Sequence, residues 1–150
     1  MDDLKLVSHA HGAPGLRFFG LGPGFTPSQG LIKLKILLDK NTLWARKRRV
    51  KDIKKMLYHS NVVVSLWKEK DLIGFGRATT DQIYRAVLWD IVIDQDYQKK
   101  GFGTMIISSI LNNKLISKVE KIYLMTTNCR DFYIKKGFSI EETQQLLILK

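Results

Sequence analysis

The sequence predicts an α/β chain of the mixed α+β kind, a central mixed β-sheet flanked by helices, and three observations carry that expectation. Ala86-Val-Leu-Trp-Asp-Ile-Val-Ile93 is almost continuously apolar and rich in β-branched residues, as a buried strand is. Directly after it, Met105, Ile106, Ile107, Ile110, Leu111 and Leu115 recur at helical spacing. Ahead of both, Val62-Val-Val-Ser-Leu-Trp67 and Leu72-Ile-Gly-Phe-Gly-Arg-Ala-Thr79 read as strands. Lys68-Glu-Lys-Asp71 and Thr80-Asp-Gln-Ile83 join these strands to each other and to the run from Tyr84, and both are short enough for hairpins.

Taken in order, residues 1–30 hold all three prolines and six of the eleven glycines, and no periodic run appears before Leu31. They are expected to form an irregular N-terminal arm, with one domain over residues 31–150. Gly20-Leu-Gly-Pro-Gly24 is not a P-loop, because no helix and no Lys-Ser/Thr follows it. His9 and His11 lack partners at metal-ligand spacing, so no metal is expected. Leu31-Ile-Lys-Leu-Lys-Ile-Leu-Leu38 alternates lysine with aliphatic residues and predicts a half-buried strand. Trp44 is expected in the core or at the border of a cleft. Val50, Ile53, Met56 and Leu57 give the next segment one apolar helical face. Gly74 and Gly76 inside the second hairpin strand suggest a bulge or a close backbone approach. Lys121-Ile-Tyr-Leu-Met-Thr-Thr127 predicts a further strand. Arg130 to Lys136 predicts a short helix ended by Gly137, and Gln145-Leu-Leu-Ile-Leu149 a last strand.

An apolar share of 45% with 26% charged residues is that of an ordinary globular protein, and 150 residues suffice for one domain with a core. No apolar run approaches the ~20 residues that span a bilayer, and the acidic start Met1-Asp-Asp-Leu is followed by no apolar signal core. The single cysteine, Cys129, excludes an internal disulfide and fits a reducing compartment. The net charge of +11 suits an anionic partner, whether a phosphate-bearing small molecule or a nucleic acid, or merely well-solvated basic faces. Eight lysines and arginines against one acid, Asp52, between Lys40 and Lys55 pose the same choice locally; a solvated amphipathic helix is the plain alternative to a binding face.

The chemistry is expected at Asp94-Gln-Asp-Tyr-Gln-Lys-Lys-Gly-Phe-Gly-Thr104, at a strand-to-helix junction. The first amide donors of a helix lack partners within it and face the positive end of its dipole. With glycines at Gly101 and Gly103 and charges at Lys99 and Lys100, this is a place to hold a diphosphate. Gln98-x-x-Gly101-x-Gly103 resembles the Gln/Arg-x-x-Gly-x-Gly/Ala signature of the GCN5-related N-acetyltransferases (the GNAT superfamily). Phe132-Tyr-Ile-Lys-Lys-Gly-Phe138 resembles the same family's Phe-Tyr-x-x-x-Gly-Phe segment. Gly74-Phe-Gly-Arg-Ala-Thr79, Leu88-Trp-Asp-Ile-Val-Ile93 and Tyr123-Leu-Met-Thr-Thr-Asn128 are similar to the cyanobacterial and plastid branch, whose plant members resemble plastid protein and serotonin N-acetyltransferases. The resemblance covers roughly residues 30–150.

That resemblance implies a GNAT-like sheet and acetyl-CoA as cosubstrate, without a metal. It implies transfer to a primary amine, either a protein lysine or N-terminus or an arylalkylamine such as serotonin, by direct attack in a ternary complex. The compartment it implies is the plastid stroma or a cyanobacterial cytoplasm. The main chain of Ile91, Val92 and Ile93 would pair with the pantetheine arm as an added strand. Gln98, Lys99, Lys100, Gly101, Phe102, Gly103 and Thr104 would hold the diphosphate, and Asn128, at the end of the next strand, would touch the arm. Tyr133 would be the general acid, since a phenol is protonated at neutral pH and can donate to a departing thiolate. Asp90, a carboxylate in an apolar strand, needs a partner or a function. It is open as a base acting through water, as an anchor for the substrate ammonium, or as the structural partner of Arg77 or Arg85. Cys129 is a less economical acyl carrier, because direct transfer makes it unnecessary. The alternative in another class is a non-catalytic basic RNA- or ribosome-associated protein on the same fold.

Overall fold

The structure is a computed structural model, described here for residues 3–150. Its elements run β1 (Leu4–Ser8), α1 (Pro14–Phe19), α2 (Gly30–Asn41), α3 (Val50–Tyr58), β2 (Val62–Lys68), β3 (Asp71–Thr80), β4 (Arg85–Ile93), α4 (Phe102–Leu111), β5 (Lys121–Leu124) and α5 (Arg130–Ile134). One sheet has the spatial order β1-β2-β3-β4-β5. The first four strands are antiparallel and β5 joins β4 in parallel, with α4 as the crossover. This is the mixed sheet that the sequence predicts.

The sheet is buried on both faces. Helices α1, α2 and α3 cover one, where Leu34, Leu38, Leu57, Trp67 and Phe75 pack together. Helix α4 covers the other, where Ile106, Ile107 and Ile110 meet Val64, Leu66 and Leu88. Each such aliphatic side chain, fully buried, stabilises the fold by roughly 1.5–3 kcal/mol. Strands β2, β3 and β4 lie where the continuous apolar runs place them. Asp81 closes the second hairpin by accepting from the amides of Ile83, Tyr84 and Arg85 through one carboxylate oxygen.

Three expectations are corrected. The first concerns residues 1–30, which are not an irregular arm. β1 pairs with β2 from Leu4↔Lys68 to Ser8↔Val64, and Ala13 and Leu16 are buried. Pro14 opens α1 and Gly20, in the left-handed region at φ 58°, closes it; the residues that read as breakers are the helix's own punctuation. Met1 and Asp2 lie outside the described residues.

The second correction is that Leu31 to Leu38 belongs to a helix, α2. Gly30, Leu34, Leu37 and Leu38 are its buried positions, a 3.6-residue stripe. Ile32 and Ile36, which complete the alternating pattern, face outward at 54% and 58% exposure. The third is that Gln145 to Leu149 forms no strand: Leu146, Leu147, Ile148 and Leu149 are exposed. A strand exists only with a hydrogen-bonded neighbour. The outer edge of β5 has none among the described residues; only the Tyr123 hydroxyl reaches the tail, at Gln144 (3.4 Å).

Candidate active site

β4 and β5 pair only from Arg85↔Lys121 to Leu88↔Leu124, whereas β4 continues to Ile93. From Trp89 onward the sheet is therefore forked, and this stretch of β4 has main chain with no strand on its β5 side. A bulge helps to open the fork. Between the pairs Phe75↔Val92 and Arg77↔Trp89, β3 advances two residues and β4 three, with Asp90 at φ 52°. Bulges bend and twist the strand that carries them. Here the bulge turns Ile91 and Ile93 toward α4, while Trp89 and Asp90 both meet Arg77 on the opposite face. The main chain of Ile91, Val92 and Ile93 thus lies on the stretch that β5 leaves open.

The loop from Ile93 to α4 bends back on itself. Asp94 caps a short 3-10 turn by accepting from the Asp96 amide at 3.0 Å, and Gln98 Nε2 donates to the Ile93 carbonyl at 3.0 Å. Lys99 (φ 61°) and Gly101 (φ 84°) are left-handed, and nothing lies within 4 Å of where a Gly101 Cβ would stand. Gly101 supplies no side-chain cap, so the leading amides of α4, at Phe102, Gly103 and Thr104, remain available as donors. Lys100 lies over the Tyr97 ring at 5.4 Å, and Lys99 and Lys100 are both exposed. Gly103 has a different reason to be small, since a Cβ there would stand 3.2 Å from the Phe132 ring. The same economy places α4 on the sheet: at Gly76 a Cβ would meet Ile106 and Ile91 at 2.7 Å, and at Gly74 it would meet Ile106 and Ile93 at 2.8 Å. An open cradle of amides and lysines beside an unpaired strand edge fits a long ligand with a diphosphate and an amide-bearing arm.

Tyr133 projects from α5 into the cluster that holds α4 and the inner side chains of β4, edge-on to Phe132 (5.0 Å) and Phe138 (5.9 Å). Burial, with a smaller contribution from Cys129, pushes its phenol up to about 12, so the hydroxyl stays protonated throughout the neutral range. Gly137, at φ 100°, ends the turn after α5. Asn128 is not at a strand end. It sits in an exposed bend four residues beyond β5, where its Oδ1 is 3.4 Å from Cys129 Sγ.

Asp90 is the most heavily engaged group. Its Oδ2 accepts from Arg77 Nε and Arg48 Nη1, both at 2.9 Å, and its Oδ1 from Trp44 Nε1 at 3.1 Å. Burial pushes this carboxyl up, but the hydrogen bonds and charges of Arg48 and Arg77 outweigh burial and hold it below the usual carboxylate range. A free base at Asp90 therefore meets a carboxylate whose oxygens are already committed. Of the two arginines expected as possible partners, Arg77 pairs with it, while Arg85 pairs with Glu120 at 2.6 Å. Arg48 was not foreseen, and Trp44 is 55% exposed rather than core. Forty-two and forty-six residues separate them from Asp90, and no periodicity links such positions. No group of residues suited to a metal occurs among the described residues, and none of their helices is long and apolar enough to cross a membrane.

A family model described as an acetyltransferase (GNAT) domain matches residues 59–140. The chain is 33% identical over 118 residues to an uncharacterised N-acetyltransferase, ycf52, of Porphyra purpurea, covering 75% of this chain and 67% of that one. It is 33% identical over 75 residues to the chloroplastic GCN5-related N-acetyltransferase 2 of Arabidopsis thaliana, covering 49% of this chain and 29% of that one. The chain spans 67% or less of the length of these and other relatives. A crystal structure assigned to the GNAT acetyltransferases, from Xanthomonas campestris, superposes with a TM-score of 0.74 over 98% of this chain and 92% of that one; at 15% identity the likeness is one of fold. The forked sheet, the glycine loop at the head of α4 and these matches agree: the chain belongs to the GCN5-related N-acetyltransferase (GNAT) family.

Proposed function

We infer that the protein transfers an acetyl group from acetyl-CoA to a primary amine, of a protein or of an arylalkylamine, by direct attack in a ternary complex. The observation that carries this reading is the meeting of two features at one place. The stretch of β4 with no strand on its β5 side (Trp89 to Ile93, the Ile93 carbonyl being held by Gln98) runs into the uncapped amides of α4, so one extended ligand can meet both. Acetyl-CoA would supply the acyl group as a thioester. Residues Gln98 to Thr104 would hold its diphosphate through amides and lysine charge, and Ile91, Val92 and Ile93 would align its arm by strand addition. Asn128, on the exposed bend beyond β5, would border that arm.

The amine nitrogen forms its bond to the carbonyl carbon as the carbon–sulfur bond breaks, and the amine's proton leaves through water. Tyr133 Oη would give a proton to the departing sulfur, a role supported by its raised pKa, which keeps the hydroxyl protonated at neutral pH. Asp90 serves as a positioning residue, fastening Arg77 and the Trp44–Arg48 segment to the forked strand. The chloroplastic relative supports a plastid stroma, or its cyanobacterial equivalent, as the compartment.

Calorimetric titration with acetyl-CoA, beside ATP, tests the reading. Stoichiometric binding of acetyl-CoA in preference to ATP is the expected result. Gly101→Asp abolishes it, because it places an anionic side chain on left-handed backbone at the cradle. Absence of acetyl-CoA binding by the unaltered protein at moderate salt would overturn it.

A further inference from the structure

Resting on the acetyl-transfer reading, we propose that the acceptor is an acidic polypeptide segment, drawn to the fork by the basic α2–α3 loop, residues 42–49. Trp44 and Arg48 of this loop bond the Asp90 carboxylate in the unpaired stretch of β4, so the loop borders the strand where acetyl is delivered. Arg46 and Lys47 stand exposed on it, and neither side-chain cation has an ion-pair partner among the described residues; the nearby Asp39, which accepts from the Lys47 amide, is paired with Lys35. Leu43 and Trp44 add exposed apolar surface beside them, at 77% and 55%.

The carboxylates nearby carry the other half of the argument. A small cationic amine needs a free acid as its anchor. Asp90 is neutralised by Arg48 and Arg77, while Asp94 and Asp96 are both held by Lys40. The loop itself offers cations and carries no acid, and the acids that adjoin it are paired, Asp39 with Lys35 and Asp52 with Arg49. Such a rim attracts carboxylates flanking an acceptor and, by like-charge repulsion, favours the neutral, nucleophilic form of the amine. Two free cations next to two apolar side chains match one or two acidic side chains with an aliphatic neighbour. A nucleic acid requires a longer stripe that neutralises several phosphates.

The test uses the full chain with saturating acetyl-CoA and synthetic peptides bearing one identical amine, flanked by Asp/Glu, by Ser/Ala or by Lys, with tryptamine alongside. The expected result is a kcat/KM about three- to tenfold higher for the acidic peptide than for the neutral one, expressed in KM and shrinking with added salt. The double variant Arg46→Glu, Lys47→Glu loses or inverts that preference, while its calorimetric affinity for acetyl-CoA matches the parent's. Both side chains are exposed, and the milder Arg46→Gln, Lys47→Gln pair gives the same direction. Equal or basic-favouring rates, turnover of tryptamine alone, or bound acetyl-CoA with no peptide acetylated would each overturn the proposal while leaving the cofactor reading intact. So would an RNA oligonucleotide that binds with loss on charge reversal while acidic peptides show no preference. Failure to bind acetyl-CoA would remove both.

Discussion

Tyr133 and Asp90 are both polar groups in apolar surroundings, and they solve the problem differently. Tyr133 stays neutral. Its pKa of about 12 means that no basic limb from this group enters a pH–rate profile in the range where enzymes are assayed. Tyr133→Phe is expected to retain acetyl-CoA affinity and to lose roughly 10²–10⁴-fold in kcat, the usual worth of a positioned proton donor. Normal turnover would assign the proton to another source. Asp90 stays charged and recruits partners. Asp90→Ala leaves Arg77, whose side chain is 13% exposed, without its counter-ion, and removing one member of a largely buried pair costs up to about 3–5 kcal/mol. Denaturant titration should therefore show a large loss of stability in that variant, whereas a simple base would cost rate and leave stability unchanged. The Arg77 contact was legible in the sequence because hairpin strands place near neighbours side by side; Arg48 and Trp44 arrive from a loop whose path depends on α2.

At the scale of elements, β2, β3, β4 and α4 were legible because each carries a pattern that packing on two faces enforces. α2 was not, since its exposed isoleucines imitate a strand, and tertiary burial of Leu34, Leu37 and Leu38 decides the matter. The tail beyond α5 was misread for a different reason: strand propensity becomes a strand only where an edge is offered and taken. The glycines of β3, read as a bulge or a close approach, lie at both: the register shifts beside Gly76, and the small residues set the seating of α4. Gly76→Val would drive side-chain atoms into Ile106 and Ile91, which stand 2.7 Å from the ideal Cβ. Overpacking of this kind costs roughly 1–3 kcal/mol, which in a chain of this size lowers Tm by several degrees. Because Ile91 lies on the forked stretch of β4, acetyl-CoA affinity should fall together with Tm. Unchanged affinity in a thermally weakened variant would separate the seating of α4 from the ligand edge.

For the whole molecule, resistance to acid should hinge on the first strand. The His9 ring bonds Ser65 Oγ at 2.8 Å, and Trp67 Nε1 donates to the same oxygen, so this trio, buried at Ser65 and Trp67 and half-buried at His9, ties the end of β1 to β2. Burial lowers His9 from 6.5 to about 4. Between those values the unfolded chain binds a proton that the folded chain refuses. This contribution is therefore full above pH 6.5 and is lost progressively between pH 6.5 and about 4, roughly 3 kcal/mol in all at about 1.36 kcal/mol per unit. Urea midpoints measured from pH 7 to 4.5 should fall for the parent and stay flatter for His9→Gln. The carboxylates held low by their partners, Asp90 among them, lose their contribution only at lower pH, so the two limbs are separable.

The fork has a consequence of its own. A sheet that leaves five residues of an inner strand without a neighbour on one side is an unfinished structure, and on the acetyl-transfer reading the piece that finishes it would come from metabolism rather than from the gene. A ligand that binds only the folded chain adds RT ln(1 + [L]/Kd) to its stability. The lifetime of the protein in a cell would then follow the local supply of its own acyl donor. When the thioester pool runs down, the catalyst that spends it would be the more readily unfolded and cleared.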